Sequence, residues 1–318
     1  CTVTVSDVYE LIFPELPASA FVGEEIDLEL ILRKNGAEED LSLAQISGEG
    51  FTVSEGKITP TTSGQLSVTV TYQDKTRTQT LAAYIEVADK EGLAAVNDDL
   101  SAWYKLTADL DFEGGYLETI AHYSDGNTSA TTGFLGVFDG NSHSIMNFTP
   151  VYNGAVGANC ALFGWIGNTG VVRNLNVLNA SLEGRISGGI ANTNYGLIEN
   201  CFAETTVNYQ PAESDKNNPM GGICSKNYGD IANTVAVLHV GSVVTDTQCI
   251  GGFVGRHLSG SSMTNCYALT TLGFVESAVP TNGDMSGTLT NCSAFADNDA
   301  FFAEGTGADL SAFNGGIW

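Results

Sequence analysis

The side chains best suited to chemistry are few in this chain of 318 residues and lie far apart. Its four histidines are scattered, and neither a Ser/His/Asp order nor a His-Glu-x-x-His motif occurs. Polysaccharide hydrolases need paired carboxylates at set distances, yet the only adjacent aspartates, Asp98–Asp99, lie outside the repeats of residues 103–318. The basic residues that a polysaccharide lyase would need are sparse there: Lys105, Arg173, Arg185, Lys216, Lys226 and Arg256. The pattern predicts no catalytic residue.

Asp109 and Asp111, in the stretch ADLDF, come closest to a metal site. Their alternate spacing would point both carboxylates to the same side of a strand. Calcium needs more oxygen ligands than these two residues supply. We therefore expect them to cap local structure, and we expect no metal or cofactor. Calcium held by other carboxylates is the alternative, since the chain has 37 acidic residues.

One asparagine recurs at the same place in five short stretches. VVRNLNV, LIENCFA, DIANTVA, SMTNCYA and TLTNCSA contain the anchor residues Asn174, Asn200, Asn233, Asn265 and Asn291. GGIANTNYGLIENC, which begins at Gly188, and GGICSKNYGDIANT, which begins at Gly221, are identical at eight of fourteen positions. Self-similarity at this period indicates a solenoid. We expect the anchors to form turns and to stack as an asparagine ladder.

Cysteine follows the anchor in three of these stretches. Cys201, Cys266 and Cys292 share this position, and Thr234 replaces cysteine in the fourth. The chain has seven cysteines, an odd count that argues against a complete disulfide framework. We expect a column of buried, reduced thiols. A disulfide is the alternative, and only Cys266 and Cys292 could form it, because Thr234 separates Cys201 from Cys266.

Two tyrosines and two polar stretches are the candidates for ligand contact. Tyr195 and Tyr228 occupy equivalent repeat positions and are expected to stack, as a structural ladder or as a sugar-binding platform. Residues 121–133 and 208–220 interrupt the repeats and should form loops. Because loops on a rigid scaffold often carry function, we expect these residues to line the contact surface: Tyr123, Tyr209, Asp215 and Lys216.

The sequence pattern predicts different secondary structure in three successive regions of the chain. Residues 1–88 alternate with period two, as in EIDLELIL, GQLSVTVTY and TLAAYIEV, which predicts an antiparallel β-sandwich. Residues 89–102 contain Leu93, Val96 and Leu100 at helical spacing and predict a short helical linker or cap. Residues 103–318 offer short β segments separated by Gly, Asn and Ser, as a parallel β-helix requires. Its right hand follows from the rule for parallel crossovers.

The net charge of −25 argues against two classes of partner. A chain this acidic repels phosphate backbones and anionic membrane surfaces. No run of about 18 apolar residues predicts a membrane span. Nucleic acid binding and membrane insertion are therefore not expected.

Two parts of the chain resemble known bacterial families. SEGKITPTTSGQLSVTVTY followed by LAAYIEV resembles the closing half of a group 2 bacterial Ig-like domain. GGIANTNYGLIENCFA and GGFVGRHLSGSSMTNCYA resemble the GLUG motif of bacterial surface proteins, and YKLTADLDFEG and FLGVFDGNSHSIMNF resemble the coils that precede it. The opening CTVTVS resembles the last strand of a preceding Ig-like domain, with a lipidated Cys1 as the alternative.

These resemblances imply an all-β protein with an Ig-like β-sandwich, a short helical cap and a right-handed parallel β-helix. They imply an extracellular, wall- or lipid-anchored location on a bacterial cell. We expect a non-catalytic adhesin or stalk, a monomeric segment of a longer chain, whose partners are host or polymer glycans or surface proteins. The alternatives are a polysaccharide-active β-helix enzyme and a spacer or accessory domain of a larger surface protease.

Overall fold

The computed structural model describes residues 7–126, 128–209, 219–241, 250–270 and 287–295. This part of the chain is mostly β, with many sheets and a single short α-helix. Its contacts form two compact units. The first comprises residues up to Glu86 together with Ala102–Tyr104, and the second comprises Val87–Ser101 and the residues from Lys105 onward. The predicted domain boundaries at 88 and 102 stay predictions.

The strands of the first unit form three hydrogen-bonded groups. Antiparallel pairing joins β1, β4 and β5, then β3, β8 and β7, then β6, β9 and β10, with β2 parallel to β10. The strands are β1 (Tyr9–Ile12), β2 (Ser19–Phe21), β3 (Ile26–Asp27), β4 (Ile31–Lys34), β5 (Ala37–Glu38), β6 (Gln45–Ser47), β7 (Phe51–Ser54), β8 (Lys57–Pro60), β9 (Gly64–Tyr72) and β10 (Lys75–Val87). A 3-10 turn, Leu41–Leu43, precedes β6.

The alternating pattern buries one face of β9, with Leu66, Val68, Val70 and Tyr72 in the core. In EIDLELIL the alternate apolar residues are also buried, but Glu29 adopts a φ of 45° and splits the segment into β3 and β4.

The expected alternation fails at the end of β10. The sequence pattern placed Ile85 on the same face as Leu81 and Ala83, but Ile85 is 37% exposed. Tyr84 is buried instead, and its ring packs 5.7 Å from that of Trp103. Because adjacent residues of a strand point to opposite faces, both faces are covered at this end of β10: Ala83 is buried on one and Tyr84 on the other.

The short helix predicted within residues 89–102 is confirmed. Helix α1 spans Lys90–Ala94 and continues into a 3-10 turn, Ala95–Asp98. The carboxylate of Asp89 caps the helix by accepting a hydrogen bond from the Gly92 amide at 2.8 Å. Leu93 and Val96 are buried, as their spacing predicted.

Three parallel sheets dominate the second unit, and the chain visits them in a fixed order. Sheet A contains β13 (Val137–Asp139), β16 (Val171–Arg173), β19 (Leu197–Glu199), β23 (Asp230–Ala232), β27 (Ser262–Thr264) and β29 (Thr288–Thr290). Sheet B contains β12 (Leu110–Glu118), β14 (Ser144–Val151), β17 (Asn176–Leu182), β20 (Phe202–Val207), β24 (Val235–Val240), β28 (Tyr267–Leu269) and β30 (Ser293–Phe295). Sheet C contains β15 (Phe163–Ile166), β18 (Ala191–Asn194), β22 (Cys224–Asn227) and β26 (Val254–His257).

The remaining elements are short. Strand β11 (Trp103–Leu106) begins in the first unit and ends in the second. Strands β21 (Met220–Gly221) and β25 (Ile250–Gly251) pair in parallel, and a 3-10 turn spans Tyr123–Asp125. No helix in the described part of the chain is long and apolar enough to cross a membrane.

Strand register in these sheets follows the sequence repeat. In sheet A, Val172 pairs with Ile198, Ile198 with Ile231, and Ile231 with Met263. All four side chains are buried and form one apolar row. A slip of one residue would turn such a row out of the core, so burial fixes the register.

Candidate functional site

The five anchor asparagines end successive strands of sheet A in one shared conformation. Their φ angles lie between 48° and 53°, in the left-handed region that asparagine tolerates. Asn200 donates to Asn174 at 3.3 Å, Asn265 to Asn233 at 3.0 Å, and Asn291 to Asn265 at 2.9 Å. Between Asn200 and Asn233 the link is a backbone one: the backbone N–H of Asn200 donates to the Ala232 carbonyl at 3.1 Å. The anchors therefore lie in one column and are linked from one strand to the next.

We expect Asn233→Val to lower the free energy of unfolding by about 2 kcal/mol, because a β-branched residue is strained in the left-handed region and the Asn265 amide loses its acceptor. Asn233→Gly relieves the strain but not the lost hydrogen bond, so its expected cost is about 1 kcal/mol. Urea denaturation of both variants separates the two contributions. Equal losses in the two variants would contradict the conformational explanation.

The position after each anchor holds a short side-chain donor. Cys201, Thr234, Cys266 and Cys292 each donate to the carbonyl two residues earlier, at 3.2, 2.8, 3.4 and 3.3 Å. This shared hydrogen bond explains why threonine can replace cysteine in the column. Cys201 and Cys266 are buried free thiols, and burial raises the pKa of Cys201 to about 12.

Cys292 departs from the expected burial. Its thiol is free but only half-buried. A hydrogen bond from the Cys266 thiol lowers the pKa of Cys292, while burial raises that of Cys266. The structure also contains two buried free thiols that the repeat pattern did not single out, Cys160 and Cys224.

Tyr195 and Tyr228 stack, as their equivalent positions indicated, and they belong to a longer row of rings. Their ring centroids lie 4.4 Å apart with an interplanar angle of 10°. Trp165 lies 5.8 Å from Tyr195, and Tyr123 lies 6.0 Å from Trp165. We call these four residues the aromatic strip. Sequence reasoning missed Trp165, although ALFGWIG occupies the repeat position of GGIANTN.

The two ends of the aromatic strip are exposed. Tyr123 is 45% and Tyr228 is 38% exposed, whereas Trp165 and Tyr195 are half-buried. Tyr195 and Tyr228 turn one face toward each other, so a ligand can reach only their outer faces, edges and hydroxyl groups. Burial and the neighbouring Tyr228 raise the pKa of Tyr195, which keeps its hydroxyl protonated and able to donate.

Of the other candidate contact residues, the structure describes only Tyr209. Tyr209 is half-buried and packs on an apolar cluster that includes Val207, Met220 and Ile250, so it is not the freely displayed loop residue that the sequence suggested. The apolar surface of its ring explains this docking. Asp215 and Lys216 lie outside the described residues.

Asp109 and Asp111 each serve a local structural role. The Asp109 carboxylate accepts from the Ser144 amide at 2.8 Å, and that of Asp111 accepts from the Asn147 side chain and the Glu113 amide, both at 2.8 Å. The Asn147 hydrogen bond lowers the pKa of Asp111. Within the described ranges, no three His, Cys, Asp or Glu side chains converge as a metal site would require.

A buried polar ladder runs through sheet C. Asn194 donates to Asn227 at 2.8 Å, and Asn227 donates to Nδ1 of His257 at 3.3 Å. Ser261 lies 2.9 Å from the same nitrogen, and Nε2 of His257 lies 3.2 Å from the Thr288 carbonyl. The three ladder residues are at most 2% exposed. The partners of His257 fit a neutral ring that accepts at Nδ1 and donates at Nε2.

Acid should destabilise the protein through His257. Burial lowers the pKa of His257 below its usual value of 6.5, so the unfolded chain binds a proton more readily than the folded one. The stability that depends on neutral His257 is fully present above about pH 6.5. It is lost as the pH falls from there through the folded-state pKa of this residue. Melting temperatures of the parent and His257→Asn between pH 8 and pH 5 test this. The melting temperature of the parent should fall further than that of His257→Asn over this range. Parallel curves would contradict the role assigned to His257.

Comparison with known proteins adds two partial matches. The GLUG motif model matches residues 246–272, which include one of the two GLUG-like stretches described above. Halomucin of Haloquadratum walsbyi (strain DSM 16790 / HBSQ001) is 33% identical over 136 residues. This match covers 39% of the present chain but only 1% of halomucin. Both matches are consistent with a surface-associated protein.

Proposed function

We propose that this chain is a non-catalytic segment of a larger bacterial surface protein and that it binds glycans along the aromatic strip. The observation that carries the proposal is the row of Tyr123, Trp165, Tyr195 and Tyr228, whose two ends are exposed. Aromatic rings offer an apolar surface, and tyrosine adds a hydroxyl that can hydrogen-bond to a sugar. The proposed location is extracellular, with wall or lipid anchoring.

The proposal also assigns a fold to each of the two units. We interpret the second unit as a right-handed parallel β-helix, because the chain passes through sheets C, A and B in order and each strand pairs in parallel with its counterpart in the next pass. The right hand is that of parallel crossovers in general. We interpret the first unit as an Ig-like sandwich, which its antiparallel strands and buried alternate residues support.

Rigidity favours a binding role for the aromatic strip. Trp165 lies within β15, and Tyr195 and Tyr228 directly follow β18 and β22, so sheet C holds them. Trp165 is further fixed by a hydrogen bond from its indole nitrogen to the Ser129 carbonyl at 2.9 Å. Side chains that are ordered before binding lose less conformational entropy when a ligand arrives.

The test pairs a glycan array with a screen for polysaccharide cleavage, both on the whole chain. For each bound glycan, Tyr228→Ala and Tyr123→Ala should weaken binding at least tenfold. Tyr116→Ala is the matched control, because Tyr116 is 63% exposed in the same unit and outside the strip. Turnover of any glycan would instead favour the β-helix enzyme. No binding and no turnover would favour a spacer or accessory domain of a surface protease.

A further inference from the structure

Two cations lie beside the aromatic strip on sheet C. Parallel register aligns Trp165 with Thr193, Thr193 with Lys226, and Lys226 with Arg256. Lys226 and Tyr228 are two residues apart, as are Thr193 and Tyr195. Trp165 belongs to the same row as Lys226 and Arg256, and its ring lies 5.8 Å from that of Tyr195, which shows that this row adjoins the row of tyrosines. The cation pair therefore lies next to the two stacked tyrosines.

Lys226 combines partial burial with the lack of an ion pair to any described residue. Lys34, Lys57 and Lys75 each form an ion pair with a carboxylate at 3.0 Å or less. Lys226 is half-buried, and no ion pair or hydrogen bond joins its ammonium group to any described residue. Burial and the neighbouring Arg256 both lower the pKa of Lys226. Burying a charge without a partner costs free energy, and placing a second cation beside it increases that cost.

We propose that Lys226 and Arg256 bind the carboxylate of an acidic sugar whose ring packs against the aromatic strip. This inference rests on the proposed function and names its ligand class. Arginine recognises a carboxylate through two parallel hydrogen bonds, and lysine adds a compact charge. A carboxylate would provide the anionic partner that Lys226 lacks among the described residues.

The net charge of the chain restricts the acceptable ligands further. A long polyanion would meet repulsion from the whole protein, which carries a net charge of −25. A single acidic sugar places one charge at the cation pair and little charge elsewhere. The inferred ligand is therefore a glycan with an isolated or terminal acidic sugar.

The experiment uses matched oligosaccharide pairs that differ only in the acidic group, such as glucuronic acid against glucose and galacturonic acid against galactose. Binding to the whole chain is measured by calorimetry. We expect the acidic member of at least one pair to bind at least tenfold more tightly. Lys226→Met should abolish this preference and Lys226→Arg should retain it. Lys75→Met, which removes a cation from the other unit, should have no effect.

A second readout follows Lys226 itself. Amine acylation at neutral pH, located by mass spectrometry, should decrease at Lys226 when the acidic oligosaccharide is present and not when the neutral one is. Equal binding of acidic and neutral members, or an acidic preference that survives Lys226→Met, would overturn this inference and leave glycan binding intact. No binding to any member and no protection of Lys226 would overturn both proposals.

Discussion

Gly229→Val should lower the free energy of unfolding by about 3 kcal/mol or more, because overpacking against fixed backbone cannot be relieved by a change of rotamer. A Cβ at Gly229 would lie 2.7 Å from the Tyr195 carbonyl oxygen and closer still to that of Gly196. Gly196 in turn approaches the Gly170 carbonyl, so three glycines stack where backbone meets backbone. Any side chain at Gly229 must separate two paired segments.

Gly157→Ala is the matched control for this prediction. A Cβ at Gly157 would meet only the Cys160 sulfur, at 4.0 Å. We expect this variant to stay within about 0.5 kcal/mol of the parent, because the added methyl group meets no closer atom. Urea denaturation monitored by circular dichroism measures both variants. Equal stability of Gly229→Val and the parent would show that the segments are not packed as closely as the structure indicates.

Asn227→Leu is the second substitution with a large expected effect. Asn227 is fully buried and bonds to Asn194, His257 and the Gly229 carbonyl. Leucine supplies none of these bonds. Each buried group left without a partner costs about 1–3 kcal/mol, and we expect a total loss of about 3 kcal/mol. The carbonyl of Asp230 still accepts from Asn194 at 3.2 Å, which limits the loss.

The control substitutes an asparagine whose hydrogen bond is exposed. Asn208 donates to the Ser181 hydroxyl at 2.8 Å and is exposed. Water can replace that bond, so Asn208→Leu should cost less than about 1 kcal/mol. The difference between the two variants, measured by urea denaturation, isolates the effect of burial. Similar losses in both would contradict the role assigned to the buried polar ladder.

Local patterns in the sequence determined the elements and their repeat. The period-two alternation of GQLSVTVTY identified the buried face of β9, and the spacing of Leu93 and Val96 identified the short helix. The recurring asparagine marked where the strands of sheet A from β16 to β29 end, because asparagine tolerates the left-handed conformation that the turn requires. These features depend on residues close together in the chain, so sequence alone could specify them.

Tertiary structure decided which distant residues meet. Trp165 joins Tyr195, and Lys226 lies beside Arg256, because parallel strands about thirty residues apart pair in one exact register. The exposure of Ile85 and the docking of Tyr209 also depend on which neighbouring surface the side chain contacts. A sequence pattern gives the direction of a side chain along its own strand but not the partner opposite it. For that reason the repeat predicted the stacking of Tyr195 and Tyr228, while the longer strip and the adjacent cations emerged only from the packed sheets.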